Sequence, residues 1–202
     1  MIGNAFDTVV ISCLPRISSN DLEMDYLGNN YKIQVFDEDG NPVVGEIVKI
    51  NVHTITYPIK TDKNGYATLP IRLMPNTYVI TSTYKGATNK NTLKVKNTLK
   101  AEKSFKVKMS DTKFVLKATL KWSNGKAIVG KKVSFKVKGK KFTVKTNKNG
   151  IAKIKLSVKI VNQKILKLTF KKKNVLLKVG KKYNMKVIYR NETVKSKVIV
   201  NK

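Results

Sequence analysis

One phrase occurs twice in this chain of 202 residues, and it constrains the fold more than any other feature. TDKNGYATLP begins at Thr61, and TNKNGIAKIK begins 85 residues later, at Thr146. The same offset aligns five small or apolar residues ahead of the two phrases: Gly40, Val44, Gly45, Val48 and Val52 with Gly125, Val129, Gly130, Val133 and Val137. Self-similarity at a fixed offset is the signature of repeated modules. The sequence therefore predicts two copies of one module.

Each phrase contains Asn-Gly, at Asn64–Gly65 and at Asn149–Gly150. Both residue types tolerate the positive φ of a type I′ turn, so the dipeptide predicts a tight hairpin at the same place in each module.

Short alternating runs of apolar and polar residues predict strands with one buried face. In one such run Phe105 and Val107 alternate with Lys106 and Lys108. No stretch shows a convincing helical period, and turn residues recur at short intervals, as in an all-β sandwich or barrel. Phe105, Phe135 and Phe142 fall on the apolar phase and are expected in the core.

The second copy is longer than the first. Downstream of the phrase, Tyr78 and Tyr84 align with Tyr183 and Tyr189, which adds twenty residues between Ser157 and Gly180. Two apolar-alternating runs flank the polar letters KKKN in this segment, so we expect an inserted β-hairpin. A short helix over residues 158–166 is the alternative.

The predicted domain organisation follows from the two offsets. Residues 21–97 form the first module and residues 98–202 the second, with the insertion at about 157–179. Residues 1–20 are either a leader or the tail of a preceding repeat, because TVVISCL resembles the last strand of a module.

The turn-forming motifs of the first copy resemble those of a known domain family. GNPVVGEIVKI, KTDKNGYATLPI and LMPNTYVITSTYKG resemble the bacterial Ig-like (Big-type) repeats of adhesin-like surface proteins of methanogenic archaea. They are also similar to carboxypeptidase-regulatory and collagen-binding B-type domains. The resemblance implies two tandem Ig-like Greek-key β-sandwiches, no catalysis, and further Ig-like repeats in a longer parent chain. In the second copy Ala127 replaces Pro42, and the insertion is extra.

Charge is divided unequally between the two copies. Residues 1–98 hold 10 Lys/Arg and 9 Asp/Glu, whereas residues 99–202 hold 32 Lys/Arg and 3 Asp/Glu. The net charge of the whole chain is +30. Such asymmetry suggests anionic partners for the second copy. The alternative is compositional: nearly all the basic residues are Lys, and exposed strand lysines also discourage edge-to-edge aggregation.

Residues for catalysis or metal binding are scarce. His53 is the only histidine and Cys13 the only cysteine, so no cysteine zinc spacing and no intramolecular disulfide exist. We expect His53 to be an ordinary exposed strand residue. Asp37, Asp39 and Asn41 imitate the start of a calcium loop, but Pro42 and Val48 stand where Gly and Glu are needed, so a hairpin turn is expected. Neither a cofactor nor a metal is predicted. Trp122 falls in phase with core residues.

These observations predict a non-catalytic, extracellular, adhesin-like module whose first copy is a spacer. The second would bind an anionic cell-wall or envelope polymer, with any specific patch at the insertion tip and two nearby lysines: Lys171, Lys172, Lys173, Lys181 and Lys182. The alternative is sequence-nonspecific nucleic-acid binding, suggested by a pI near 10.2. No apolar run is long enough to insert into a membrane, and any signal or anchor is expected outside this chain.

Overall fold

The computed structural model describes residues 16–202, which form two compact units that divide near residue 95. Within these residues the chain contains strands, turns and loops but no helix. The predicted all-β class is confirmed. Cys13 and most of the predicted leader lie outside the described residues.

The first unit has eight strands: β1 (Ile17–Ser18), β2 (Leu22–Asp25), β3 (Asn30–Val35), β4 (Ile47–Val52), β5 (Ile55–Lys60), β6 (Tyr66–Pro70), β7 (Asn76–Tyr84) and β8 (Ala87–Lys96). They form one sheet in the order β1-β3-β6 and a second in the order β2-β8-β7-β4-β5. Ile17 lies opposite Val35, so the first sheet includes residues ahead of the predicted start at 21.

The second unit has ten strands: β9 (Leu99–Ala101), β10 (Ser104–Lys108), β11 (Lys113–Leu120), β12 (Lys132–Val137), β13 (Lys140–Lys145), β14 (Ile151–Asn162), β15 (Ile165–Phe170), β16 (Lys173–Lys178), β17 (Lys182–Tyr189) and β18 (Glu192–Asn201). Its sheets have the orders β10-β18-β17-β12-β13 and β16-β15-β14-β11-β9. In each unit the first strand is split into two parts that join different sheets: β1 and β2 in the first unit, and β9 and β10 in the second. β10 runs parallel to β18. Both units are therefore Ig-like Greek-key sandwiches.

Burial in both units follows the period-2 alternation of the sequence. In β12, Val133, Phe135 and Val137 are buried, and in β4 Val48, Ile50 and Val52 take the corresponding positions. Phe105 and Phe142 are also buried, and Trp122 packs against the second core while half-buried. These core predictions are confirmed.

The insertion consists of strands, not a helix. β14 continues past the length of its first-unit counterpart β6, and β15 and β16 follow it as a hairpin at the edge of the sheet. The side chains of Leu166, Leu168, Val175 and Leu177 are buried in the core. The insertion therefore adds core as well as surface.

The repeated phrase is not a hairpin, and that prediction was wrong. β5 pairs with β4, whereas β6 pairs with β3, so residues 61–65 cross from one sheet to the other. Gly65 N–H donates to Asp62 O over 2.9 Å, and Gly150 N–H donates to Asn147 O over 2.9 Å. Among the turn residues only these glycines have positive φ, +74° and +72°, as in a type I turn followed by glycine.

Several residues of the phrase have a structural role at this corner, the point where the chain crosses from one sheet to the other. The Asp62 and Asn147 side chains each accept from two turn N–H groups. A Cβ on Gly150 would stand 2.3 Å from the Leu120 carbonyl oxygen. Thr61 and Thr146 are buried and bond to the backbone 15 residues upstream. The sequence repeats because both corners need the same side chains.

Tight turns with two positive φ values occur at Lys-Gly instead. Lys138 and Gly139, between β12 and β13, have φ of 45° and 76°, and Lys85 and Gly86 have 42° and 86°. His53 has a φ of 63° and occupies the turn after β4, so its predicted strand position was wrong. Its predicted exposure is confirmed.

Candidate polyanion-binding site

The second unit has few acidic residues, and two of the three accept hydrogen bonds from groups within the unit. Glu192 is buried and accepts from Thr98 Oγ1 at 2.7 Å and from Leu99 N–H at 2.9 Å. Asp111 accepts from Lys108 N–H at 2.7 Å. Within residues 99–202, all of which the structure describes, no ammonium or guanidinium lies within 4.0 Å of a carboxylate. The positive charge of this unit is therefore not compensated by its own side chains.

The hairpin tip, Lys171, Lys172 and Lys173, lies where β15 turns into β16, and all three residues are exposed. Lys173 Nζ donates to Lys141 O across 3.0 Å, so the tip reaches the edge strand β13 of the other sheet. Together with Lys141, the tip lines a groove of about 460 Å³. Four lysines thus surround one shallow opening.

Aromatic packing fixes the position of the tip. Phe170, the last residue of β15, contacts buried Phe142 edge-on, with ring centroids 6.5 Å apart. Lys171 Nζ lies 5.6 Å from the Phe170 ring centroid, within the range of a cation–π interaction. In the turn that precedes β13, Lys138 Nζ donates to Leu176 O over 3.1 Å. The inserted hairpin therefore contacts β13 through Lys173 and the turn before β13 through Leu176.

Lys181 and Lys182 do not join the tip, which corrects the predicted cluster. They follow the far end of β16, and the strand from Lys173 to Lys178 alone spans about 17 Å at ~3.4 Å per residue. Lys181 lines a separate groove of about 620 Å³ with Lys164 and Lys178. The hairpin tip and Lys181–Lys182 are close in sequence, but the extended strand β16 separates them in space.

Sequence reasoning missed Lys141. Its sequence position, 30 residues before the tip, gives no sign of contact, because the two meet only where the edges of different sheets approach. The length of the insertion indicates an added hairpin but not the side of the sandwich on which it lies.

The calcium-like segment is a closed turn. Asp37 Oδ1 accepts from the N–H groups of Asp39 and Asn41 at 3.0 and 2.8 Å. The described residues hold no group of three or more His, Cys, Asp or Glu side chains arranged for a metal ion. None of residues 16–202 belongs to a helix of the length and apolarity of a membrane span.

No protein-family model matches the chain, and no curated protein matches it. Solved structures with a similar arrangement of strands include a Ca²⁺-stabilised adhesin by which an Antarctic bacterium binds ice, at 13% identity and TM-score 0.27, covering 89% of this chain and 46% of that one. The I9–I11 tandem of titin has 10% identity and TM-score 0.40, covering 91% and 65%. Invasin, a bacterial integrin-binding protein, has 16% identity and TM-score 0.35, covering 90% of this chain and 38% of that one.

The chain thus spans less than two thirds of each of these three structures. At such identities and scores they carry nothing about function, and the description of both units as Ig-like rests on their strand order.

Proposed function

We propose that this chain is a non-catalytic, adhesin-like module of a cell surface. Its second unit binds an anionic cell-wall or envelope polymer, and its first unit acts as a spacer. The archaeal, Big-type origin, the extracellular location and the presence of further Ig-like repeats in a parent protein belong to the same proposal.

One observation carries the proposal: the second unit holds 32 basic and 3 acidic residues in residues 99–202, with no ion pair among them. A charged protein surface concentrates counter-ions of opposite sign and speeds their capture. A multivalent polymer satisfies many exposed ammoniums at once, which small counter-ions do only weakly.

The spacer role of the first unit is supported by its balanced charge. Its carboxylates pair with its own basic groups, as in Arg16–Glu38 and Lys94–Glu23, the latter at 2.9 Å. Exposed pairs of this kind contribute little to stability, but with 10 basic and 9 acidic residues over residues 1–98 the first copy has little net charge with which to attract a polymer.

The test is binding of the full chain to purified envelope polymer and to random duplex DNA across a salt series. We expect the envelope polymer to stay bound at about 150 mM salt, where the Debye length is ~8 Å, and DNA to be released. If both polyanions leave together as salt rises, the charge is nonspecific and the proposal fails. Retention of DNA alone would support the nucleic-acid alternative.

Charge reversal locates the contact. One variant changes the hairpin tip to Glu at Lys171, Lys172 and Lys173; its matched control changes three exposed lysines on the outer face of the β14 sheet, Lys117, Lys153 and Lys155. Both variants alter the net charge equally. We expect the tip variant to weaken polymer binding far more, and equal losses would remove the tip from the site.

A further inference from the structure

Four lysines form a straight row across the outer face of the sheet that contains β12. Lys136 lies directly opposite Lys141 on β13 and Lys186 on β17, and Lys186 lies opposite Lys195 on β18. All four are exposed. Neighbouring strands are about 4.8 Å apart, so the row spans roughly 14 Å perpendicular to the strands. We call these residues the lysine row.

The first unit has the same sheet without the row. At the positions equivalent to Lys141, Lys136 and Lys186 it has Thr56, Asn51 and Thr81, in the same cross-strand register. Asn51 Nδ2 donates to Thr56 Oγ1 over 3.0 Å. The fold therefore accepts neutral residues at these positions, and the row is not a requirement of the sandwich.

The row is also distinct from the other lysines of the second unit. On the outer face of the β14 sheet, the registers place at most two lysines side by side, as in Lys117–Lys153 and Lys159–Lys167. Like charges directly opposite each other destabilise a sheet. Three successive like-charge pairs therefore cost stability, which points to a ligand that carries the opposite charge.

One end of the row, Lys141, connects it to the hairpin tip. Lys141, the first member, has its carbonyl oxygen bonded by Lys173 Nζ and lines the groove of the tip. A ligand that follows the row past β13 therefore enters this groove without leaving lysine contacts.

The surroundings of the row narrow the ligand class. Outward positions on the same strands beside the row carry hydroxyl, amide or aliphatic groups at Ser134, Thr143, Asn184, Ile188 and Thr193, and one further lysine, Lys197. No aromatic side chain occupies an outward position of β12, β13, β17 or β18, so bases laid along the row have no stacking platform, and the nearby rings of Phe142 and Phe170 line the tip groove instead. None of the four charges is an arginine, whose planar fork suits phosphate oxygens.

We propose that the lysine row binds one extended polyuronate chain, laid across the strands with one carboxylate beside each ammonium and its end in the tip groove. This rests on the proposed function and specifies its ligand and its binding mode. A uronate polymer carries one carboxylate on each sugar ring, so its charges follow at intervals comparable to the spacing of strands. Exposed Thr143 lies beside the row, where a sugar hydroxyl can bond it; its Oγ1 shares a 2.9 Å hydrogen bond with the hydroxyl of buried Ser134.

The experiment titrates the full chain at about 150 mM salt with oligogalacturonates of two to eight units, by calorimetry. We expect affinity to rise steeply until the oligomer covers the row and its groove, at about four to six units, and then to level off. Hyaluronate of equal carboxylate number is the spacing control, because only every second sugar carries a charge. It should bind at least tenfold more weakly.

Two triple variants separate the row from bulk charge. The row variant takes the residues of the first unit, Lys141→Thr, Lys136→Asn and Lys186→Thr; its control changes Lys117, Lys153 and Lys155 to Thr. Both lose three charges from exposed strand positions. We expect the row variant to lose about tenfold in galacturonate affinity, and the control less than threefold.

Three outcomes overturn the proposal in distinguishable ways. Equal losses in the two variants, with polymer still bound, would leave the proposed function standing and remove the row. Binding of oligothymidylate as tight as galacturonate and equally dependent on the row would replace the ligand class. Absence of binding to envelope polymer and to galacturonate alike would remove the proposed function and the row together.

Discussion

Lys136 and Lys186 lie directly opposite each other on neighbouring antiparallel strands, with both side chains on the solvent side of the sheet. A second lysine, Lys141, faces Lys136 from its other side. Lys136 thus takes part in two like-charge pairs, whereas Lys106, on β10 at the other edge of the same sheet, lies opposite Ile199.

Replacing Lys136 by Asn should therefore stabilise the second unit. Relative to Lys106→Asn, which makes the same side-chain change without a lysine opposite, we expect a gain of about 0.5 kcal/mol at low salt, or about 2–4 °C in Tm. Thermal unfolding followed by circular dichroism measures the difference. Because screening weakens surface repulsion, the gain should vanish near ~1 M salt. A gain that persists there would show that repulsion is not its cause.

Glu192 should be a major stabilising residue of the second unit. Glu192→Ala leaves buried Leu99 N–H and the Thr98 hydroxyl without their acceptor, which costs about 2–3 kcal/mol. Glu192→Gln keeps one acceptor oxygen and should lose less. Urea unfolding provides the measurement, with exposed Glu102→Ala as the control, expected within about 0.5 kcal/mol of the parent. The account of this contact fails if Glu192→Ala is as stable as the control.

Two glycines with similar backbone angles should respond differently to alanine. Gly125 has φ +84° and open space where a Cβ would stand, so Gly125→Ala should cost about 1 kcal/mol, the strain of a left-handed L-residue. Gly150 has φ +72°, and its Cβ would meet Leu120 O at 2.3 Å, so Gly150→Ala should cost about 3 kcal/mol. Chemical unfolding of the two variants compares them, and equal costs would contradict the close approach.

The repeated corner should be acid-sensitive in the first unit only. Hydrogen bonds from Tyr66 N–H, then Asn64 N–H, lower the pKa of Asp62 below its ordinary 3.8. A lowered folded pKa gives stability that is complete above the unfolded pKa and is lost as pH falls through the folded pKa. Asn147 makes the same bonds without titrating.

We therefore expect Asp62→Asn to flatten the acid dependence of first-unit stability as the pH falls below the ordinary carboxyl pKa of 3.8, and Asn147→Asp to introduce such a dependence into the second unit. Urea midpoints followed by NMR signals assigned to each unit provide the measurement. Unchanged pH profiles in both variants would show that these bonds do not set the acid response.

The fold could be predicted because its signals are local. Alternation identified the buried faces of β4 and β12, and the offset identified two modules and an inserted hairpin. The meaning of the Asn-Gly phrase could not be predicted in the same way. Its turn residues suit a hairpin, but whether the next strand continues the same sheet depends on the partner of β6, which is β3, more than 30 residues upstream.

The site was predictable only in part for the same reason. The tip lysines lie in one turn, so their proximity is local. Lys181 lies at the other end of an extended strand, and the lysine row joins residues from four strands, Lys136 to Lys195, through pairing registers. Once the sheet order is known, the alternation of lysines in each strand suffices to find the row.

The most direct test of the central claim is a lysine footprint of the unmodified full chain. Brief acetylation with and without saturating galacturonan, read by mass spectrometry, reports the protection of each ammonium. We expect protection of Lys136, Lys141, Lys186 and Lys195 together with the hairpin tip, while Lys117, Lys153 and Lys155 react as in the free protein. Uniform protection of all lysines, or protection confined to the outer face of the β14 sheet, would contradict the account.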